Sequence, residues 1–409
     1  MNRGFLIILC AQFLSSLADN ALLFVAIEAL RDRGAPAWQT PVLQDFFVIS
    51  FILLAPFVGA FADSLPKGRV MFISNGVKMG GCLALLINIH PLLAYGFVGM
   101  GSALYSPAKY GILTEYLPDE RLVWANGWME GLTVTAIILG AILGGFLVGN
   151  YFDNLLANTA TEFGILFSNG SSITFATGFI LVIYALAAVF NLFIPVLAIE
   201  HELPSRNPQV LWFDFWTSFV ALWKDPLGQV SLAVTSLFWG AGTTLRFIIL
   251  SWAASALSFD VQEATQLTAV VAVGLALGAL LAAKFVPLHK AIKVLPLGIA
   301  MGIAIFTMAW ISHWLIAFVM LIIIGALAGC FLIPMNALLQ HRGHQLMGSG
   351  HSIALQNFNE NASMLFMLGT YALMVSVELS IYSIVISFGV FLAAVMTYLT
   401  LKNKNTIYQ

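Results

Sequence analysis

Twelve apolar stretches of about 20 residues recur along the chain, the length that carries an α-helix across the hydrocarbon core of a bilayer. They run near 5–29, 42–62, 70–89, 92–115, 123–149, 174–198, 228–253, 263–285, 291–312, 314–338, 350–375 and 379–401. Hydrophobic residues make up 60% of the 409 and charged residues 9%, against about a quarter charged in a soluble domain. The predicted class is therefore an all-α polytopic membrane protein. A net charge of −2 offers no bulk field for nucleic acid. Cys10, Cys82 and Cys330 lie singly in apolar runs, which favours packing over a disulfide framework or a zinc site. The first stretch lacks a small-residue cleavage pattern and is expected to be a retained span.

The longest break, Glu200 to Pro226, is rich in Pro, Asp, Glu and Arg. It predicts an N-terminal six-helix bundle over 1–199, a linker over 200–227 and a C-terminal six-helix bundle over 228–409. Within the linker, Leu211 to Trp223 is amphipathic enough to lie along a membrane surface. Arg3, Lys67, Arg69, Arg121, Arg206, Lys224, Lys284, Lys290, Lys293, Arg342, Lys402 and Lys404 fall on one side, and Arg31 and Arg33 on the other. Asp153, Glu162, Asp260, Glu263 and Glu378 join the sparsely basic side. Basic loops stay inside, so both termini and the linker are expected to be cytoplasmic.

The halves repeat each other weakly. Pro107-Ala-Lys109 in the fourth span answers Pro334-Met-Asn336 in the tenth, and the same offset carries Asp19 onto Arg246. A slightly larger offset sets Asn126 and Glu130 against Asn357 and Asn361. Two parallel repeats joined by a linker imply a rocking transporter with its site at the repeat interface.

Charge inside a span costs roughly 2.5–3.5 kcal/mol on insertion scales, so it persists where it faces protein, water or substrate. The fourth span contains Tyr105-Ser-Pro-Ala-Lys109-Tyr110-Gly111, a proline and a lysine where lipid would otherwise be. Asp19, Lys78, Glu130, Arg246 and Glu360 are likewise charges inside spans, and Glu28 and Glu115 lie nearer helix ends. Helical rise puts Asp19 roughly 21 Å and Arg246 roughly 27 Å from the basic side, with Lys109 and Glu130 sharing the inner part of the bilayer. A phosphate suits Lys109 and Arg246, and an ammonium suits Asp19, Glu130 or Glu360. Asn20, Tyr105 and Tyr110 add uncharged partners. Asn126 with Glu130, and Asn357 with Glu360 and Asn361, each share a helix face expected to look into the cavity. Gly140, Gly144 and Gly145 fit close helix packing.

No histidine is followed five positions later by aspartate, and no Gly-Lys-Ser or Gly-Lys-Thr phosphate loop occurs. Acyl transfer and ATP hydrolysis are therefore not expected, nor is a cofactor. His341, Arg342 and His344 read as a solvated turn.

The turn after the second span, Gly59-Ala-Phe-Ala-Asp63-Ser-Leu-Pro-Lys67-Gly-Arg69, resembles the signature loop of the major facilitator superfamily. Pro66 stands where that pattern usually has glycine and Ser64 where a basic residue is common. The resemblance implies a gating role for Gly59, Asp63, Lys67 and Arg69 in a two-state interface. The first and seventh spans face each other in that superfamily, which implies an Asp19–Arg246 pair that ties the halves together when the outer side is closed.

Phe13-Leu-Ser-Ser-Leu-Ala-Asp19-Asn20, Ala55-Pro-Phe-Val-Gly59, Tyr105-Ser-Pro-Ala-Lys109-Tyr110-Gly111 and Ala125-Asn126-Gly-Trp-Met-Glu130 occur in order. With them the chain resembles the bacterial lysophospholipid transporters of that superfamily. The resemblance implies an inner-membrane flippase moving lysophosphatidylethanolamine and related lysolipids from the outer to the inner leaflet, without ATP or an ion gradient. It also implies an acyltransferase that restores the second chain, expected on a separate polypeptide since this chain ends at Gln409. Asp19, Asn20, Lys109, Asn126, Glu130 and Arg246 map onto the family's polar positions. A proton-coupled exporter of amphipathic drugs or metabolites, with Asp19 or Glu130 titrating, is the alternative reading.

Overall fold

The computed structural model describes residues 3–36, 39–149, 172–197, 207–259 and 261–403. Arg206, Lys404, Asp153, Glu162 and Asp260, and the first part of the expected linker, lie outside the described residues.

Among the described residues thirteen α-helices form and no strand does. They are α1 (Arg3–Asp32), α2 (Gln39–Asp63), α3 (Lys67–Leu86), α4 (Pro91–Tyr116), α5 (Leu122–Leu147) and α6 (Ser172–Leu192), then α7 (Pro208–Lys224). There follow α8 (Pro226–Leu257), α9 (Val261–Phe285), α10 (Leu295–Thr307), α11 (Trp314–Met347), α12 (Ser349–Ser376) and α13 (Ile381–Lys402). Each of the twelve predicted spans has its helix, and α7 covers the amphipathic segment. Among the described residues, nine segments are long and apolar enough to cross a membrane. The chain is thus a multi-pass membrane protein.

Local chemistry sets the helix ends. Pro66 is extended and precedes α3, its carbonyl accepting from the Arg69 and Val70 N–H groups. Ser380 caps α13 by accepting from the Ser383 N–H at 3.2 Å. The main departure from expectation is at the end of α11. The sequence suggests a turn at His341, Arg342 and His344, yet the helix runs on to Met347 and stops at Gly348, whose φ of +94° suits glycine. Arg342 pairs with Asp225, and His341 Nδ1 lies 3.0 Å from Asp119 Oδ1, so side-chain partners hold the added turns.

Asp225 also caps α8, accepting from the Gly228 N–H at 2.7 Å, with Pro226 in the first turn. Partial burial alone would raise its pKa, but the Arg342 and Gly228 hydrogen bonds outweigh that and hold it below the ordinary carboxylate value. A depressed carboxylate stabilises the fold above its unfolded pKa, and the contribution is lost as pH falls through the folded value. We expect Asp225→Ala to cost about 1 kcal/mol or more, lowering the melting temperature of purified protein at neutral pH. The wild-type advantage should shrink below about pH 4.

The described helices sort into two compact units. One comprises Met1–Ile112, Leu132–Trp216 and Gly348–Ala354. Its core gathers Leu22, Val25, Leu43, Cys82, Val98 and Tyr184. Gly140 and Gly144 of α5 lie against α1, where an added Cβ would sit 2.8 Å from Leu17 O and 2.5 Å from Ala21 O. Gly145, expected to pack likewise, meets nothing within 4 Å.

The second unit comprises Leu113–Gly131, Thr217–Met347 and Leu355–Gln409. Trp252, Ile248, Leu321, Ile324, Phe331 and Leu392 form its core. Its tightest crossing is α9 on α11, where Gly274 and Gly278 meet Gly325 and Gly329 backbone to backbone. Both helices carry the Gly-x-x-x-Gly spacing that permits such approach. Sequence reasoning missed this crossing.

Candidate functional site

Gln12, Ser15, Ser16, Asp19 and Asn20 recur at three- and four-residue steps, so α1 carries a polar stripe. The stripe centres on Asp19. Its Oδ2 accepts from Lys78 Nζ at 2.7 Å and from Ser102 Oγ at 3.3 Å, and its Oδ1 accepts from the Tyr184 hydroxyl at 2.7 Å. Lys78 Nζ also donates to Ser15 Oγ at 2.9 Å, and Ser15 donates to Asn75 Oδ1 at 2.8 Å. The ammonium lies 4.8 Å from the Tyr105 ring centroid, a cation–π distance. Gly101 makes room for the lysine stem, since a Cβ there would stand 2.5 Å from Lys78 Cγ.

Resemblance implies an Asp19–Arg246 pair with the outer side closed; in this structure the ion pair of Asp19 is with Lys78 on α3, and Arg246 is exposed. Sequence proximity places Tyr105 around Lys109, yet its buried ring serves Lys78. Tyr110 takes that role instead, with its ring centroid 4.4 Å from Lys109 Nζ. Lys109 is 7% exposed and donates to Thr133 Oγ1 at 3.4 Å. Thr133 also accepts from Gln12 Nε2 at 3.1 Å, and Gln12 donates to Ser16 Oγ at 2.8 Å, which joins Lys109 to the α1 stripe. The Asn20 amide donates to Ser16 O at 2.8 Å, within its own helix.

At the α2–α3 turn the expected gating residues divide. Asp63 Oδ1 accepts from Lys67 Nζ at 2.8 Å and from the Gly350 N–H at 2.7 Å. Its Oδ2 accepts from the His351 N–H at 3.0 Å and faces His351 Nδ1 at 2.8 Å. The carboxylate thus caps α12, where exposed N–H groups and the helix dipole favour an anion. Lys67 also donates to Ala62 O at 2.8 Å. Gly59 allows the approach, because a Cβ there would lie 2.8 Å from His351 Cα. Arg69 is exposed and takes no part in the buried cluster; Lys67 is its cation. Sequence reasoning missed His351 and Asp214, whose Oδ2 lies 3.0 Å from His351 Nε2. No local motif pairs positions so far apart in sequence.

In the second unit, Asn126 and Gln340 exchange two amide hydrogen bonds of 2.8 Å each, and both are fully buried. The Asn126 amide is thus committed to Gln340 in this structure. Gln356 Nε2 donates to Asn336 Oδ1 at 2.9 Å and to Glu360 Oε1 at 2.7 Å. Asn361 donates to Asn357 O at 2.7 Å. Glu130, Asn357 and Glu360 are buried. These groups form a second buried polar cluster.

A family model described as Major Facilitator Superfamily matches residues 8–366. The lysophospholipid transporter LplT of Yersinia enterocolitica serotype O:8 is 44% identical over 376 residues, 92% of this chain and 88% of its own. The protein of the same name from Serratia proteamaculans is 43% identical over 378 residues, 92% of this chain and 90% of its own. Among solved structures, the transporter FucP in its outward conformation has a TM-score of 0.75 at 12% identity, covering 98% of this chain and 99% of its own. A bacterial homologue of the iron transporter ferroportin scores 0.72 at 14% identity, covering 99% and 100%. At those identities the two structures speak for the fold alone. This chain belongs to the lysophospholipid transporter family of the major facilitator superfamily.

Proposed function

We propose that this chain is a lysophospholipid flippase, moving lysophosphatidylethanolamine and related lysolipids from the outer to the inner leaflet of a bacterial inner membrane. The observation that carries the reading is 44% identity across 92% of the chain to a protein named for that transport. The chemistry agrees. A single-chain lipid needs charged groups for its head and apolar walls for its tail, and the buried charges here sit among 32 Phe and abundant aliphatic side chains. Lys109 supplies a cation for the phosphate, with Arg246 as its counterpart in the other half. Glu130, Asn357 and Glu360 offer acceptors for an amine. Two six-helix halves joined through α7 work by alternating access, and the Asp63–Lys67–His351 cluster latches one of the two states. The excess of lysine and arginine on the side of the α2–α3 turn supports cytoplasmic termini. Product release into the inner leaflet would feed an acyltransferase that restores the second chain.

Uptake of radiolabelled lysophosphatidylethanolamine into spheroplasts that also express such an acyltransferase tests this reading. Wild type is expected to accumulate label with or without an uncoupler, and Lys109→Ala to fall at least about tenfold, the equivalent of one lost charge-assisted hydrogen bond. No uptake above empty vector, with uncoupler-sensitive extrusion of an amphipathic dye, would replace it with the proton-coupled exporter.

A further inference from the structure

Helix α5 is divided between the two compact units, its residues up to Gly131 sorting with one and those from Leu132 with the other. No proline interrupts it. A carrier that changes state must therefore bend α5 near this point or release its first turns from their neighbours. Three contacts hold those turns. Gly127 lets α5 approach α9, since a Cβ there would lie 3.1 Å from Ala279 O. Asp119, just before α5, faces His341 Nδ1 of α11 at 3.0 Å in a partly exposed pair. Further along, Asn126 and Gln340 exchange two amide hydrogen bonds of 2.8 Å, and Asn126 also donates to Leu122 O at 3.0 Å. The two amide side chains belong to residues that are 0% and 1% exposed.

The chemistry of the amide pair suits opening. Both side chains are neutral, so parting them strands no charge, and each amide offers a donor and an acceptor to water that enters. A neutral hydrogen bond exchanged for one to water has a small net cost, unlike the breaking of a buried ion pair. The surroundings agree. Every residue of α11 from Phe331 to Gln340 is buried, although a helix enclosed on all sides is ordinarily apolar all round. Here Asn336 and Gln340, four residues apart, give that enclosed stretch a polar face. Pro334 withdraws one rung of the hydrogen-bond ladder within the same stretch, which provides a point at which the last turns can swing. We infer that Asn126 and Gln340 form an uncharged clasp that opens and closes once in each transport cycle and, when closed, shuts the polar face of α11 off from water. Gln340 acts through Asn126 and is a positioning residue. The word transport rests on the lysolipid-carrier reading; the opening of the clasp does not.

The test uses the full chain in lipid nanodiscs, with Cys10, Cys82 and Cys330 replaced by alanine. Ala337→Cys, three residues before Gln340 on the same face and 0% exposed, reports opening by its reaction with a charged methanethiosulfonate, read by mass spectrometry. It is expected to react, and Gln340→Leu to raise its rate about tenfold, the equivalent of one to two neutral hydrogen bonds. Ala253→Cys, in the core of the same unit and also 0% exposed, should stay unreactive with or without Gln340→Leu. The second arm closes Asn126→Cys/Gln340→Cys with a short bis-methanethiosulfonate. Lysophosphatidylethanolamine transport should fall at least about tenfold on cross-linking and return with dithiothreitol. An Ala337→Cys thiol as unreactive as Ala253→Cys overturns the inference, and this arm leaves the clasp itself intact. A rate unchanged by Gln340→Leu overturns it too. So does undiminished transport by the cross-linked protein, because α5 then bends and the pair is a fixed packing contact. A chain that moves no lysolipid before cross-linking, while the thiol rates follow expectation, overturns the proposed function and leaves the clasp standing.

Discussion

Gly278→Leu is expected to leave almost no folded protein in the membrane, measured as loss of the monodisperse peak of a fluorescent fusion on size-exclusion chromatography. A Cβ at Gly278 would collide with Ala326 O and stand 2.8 Å from Ala326 C and 2.9 Å from Ala326 Cα. These are backbone atoms in mid-helix and cannot turn aside as a side-chain tip can. The crossing is reciprocal, since a Cβ on Gly325 would collide with Val271 O and one on Gly329 with Leu275 O. Relief of one clash by separating the helices therefore opens the whole crossing, and the Cys330 thiol loses Gly278 O, to which it donates at 3.3 Å. Overpacking costs about 1–3 kcal/mol where side chains can adjust, and a backbone collision exceeds that range. Gly145→Leu is the control. Its Cβ meets nothing within 4 Å, so expression should stay near wild type.

Asp63→Asn is expected to fold but to lower transport by at least about a hundredfold. The amide keeps the size of the side chain and loses its charge, leaving the Lys67 ammonium 3% exposed without its carboxylate. Removing one partner of a buried pair costs about 3–5 kcal/mol, and that loss falls on the state in which α2 and α12 are latched. A two-state carrier poised near balance would then be displaced about a hundredfold or more toward the unlatched state. The double variant Asp63→Asn/Lys67→Met should recover part of the activity, because it removes the stranded charge and leaves an apolar contact. Equal losses in single and double variants would show that the anion capping the α12 N-terminus matters and the ion pair does not.

The spans were legible because backbone groups in lipid have no water to bond, so apolar length alone specifies a helix. Lys109 and Asp19 stood out for the same reason, as charges where charge is costly, and the Asp63–Lys67 turn stood out by its resemblance to a signature loop. What the sequence did not disclose was pairing. Asp19 pairs with Lys78, and Asn126 exchanges hydrogen bonds with Gln340. Each such choice depends on which helices cross at which depth, a tertiary property with no local signature. His351 escaped notice because it acts by standing at the first turn of α12 against Asp63 and Asp214. The α9–α11 crossing is different. Its paired Gly-x-x-x-Gly spacings are plain in the sequence and needed only to be sought on both helices at once.

The most direct test of downhill lysolipid movement by this chain is to reconstitute the purified protein in liposomes with no ion or voltage gradient. Radiolabelled lysophosphatidylethanolamine is added to the outer leaflet, and the fraction that albumin no longer extracts is followed over time. The account predicts protection that rises toward equal distribution between leaflets, unaltered by a protonophore and abolished by Asp63→Asn. Protection no faster than in protein-free liposomes, or protection that appears only when a proton gradient is imposed, would contradict it.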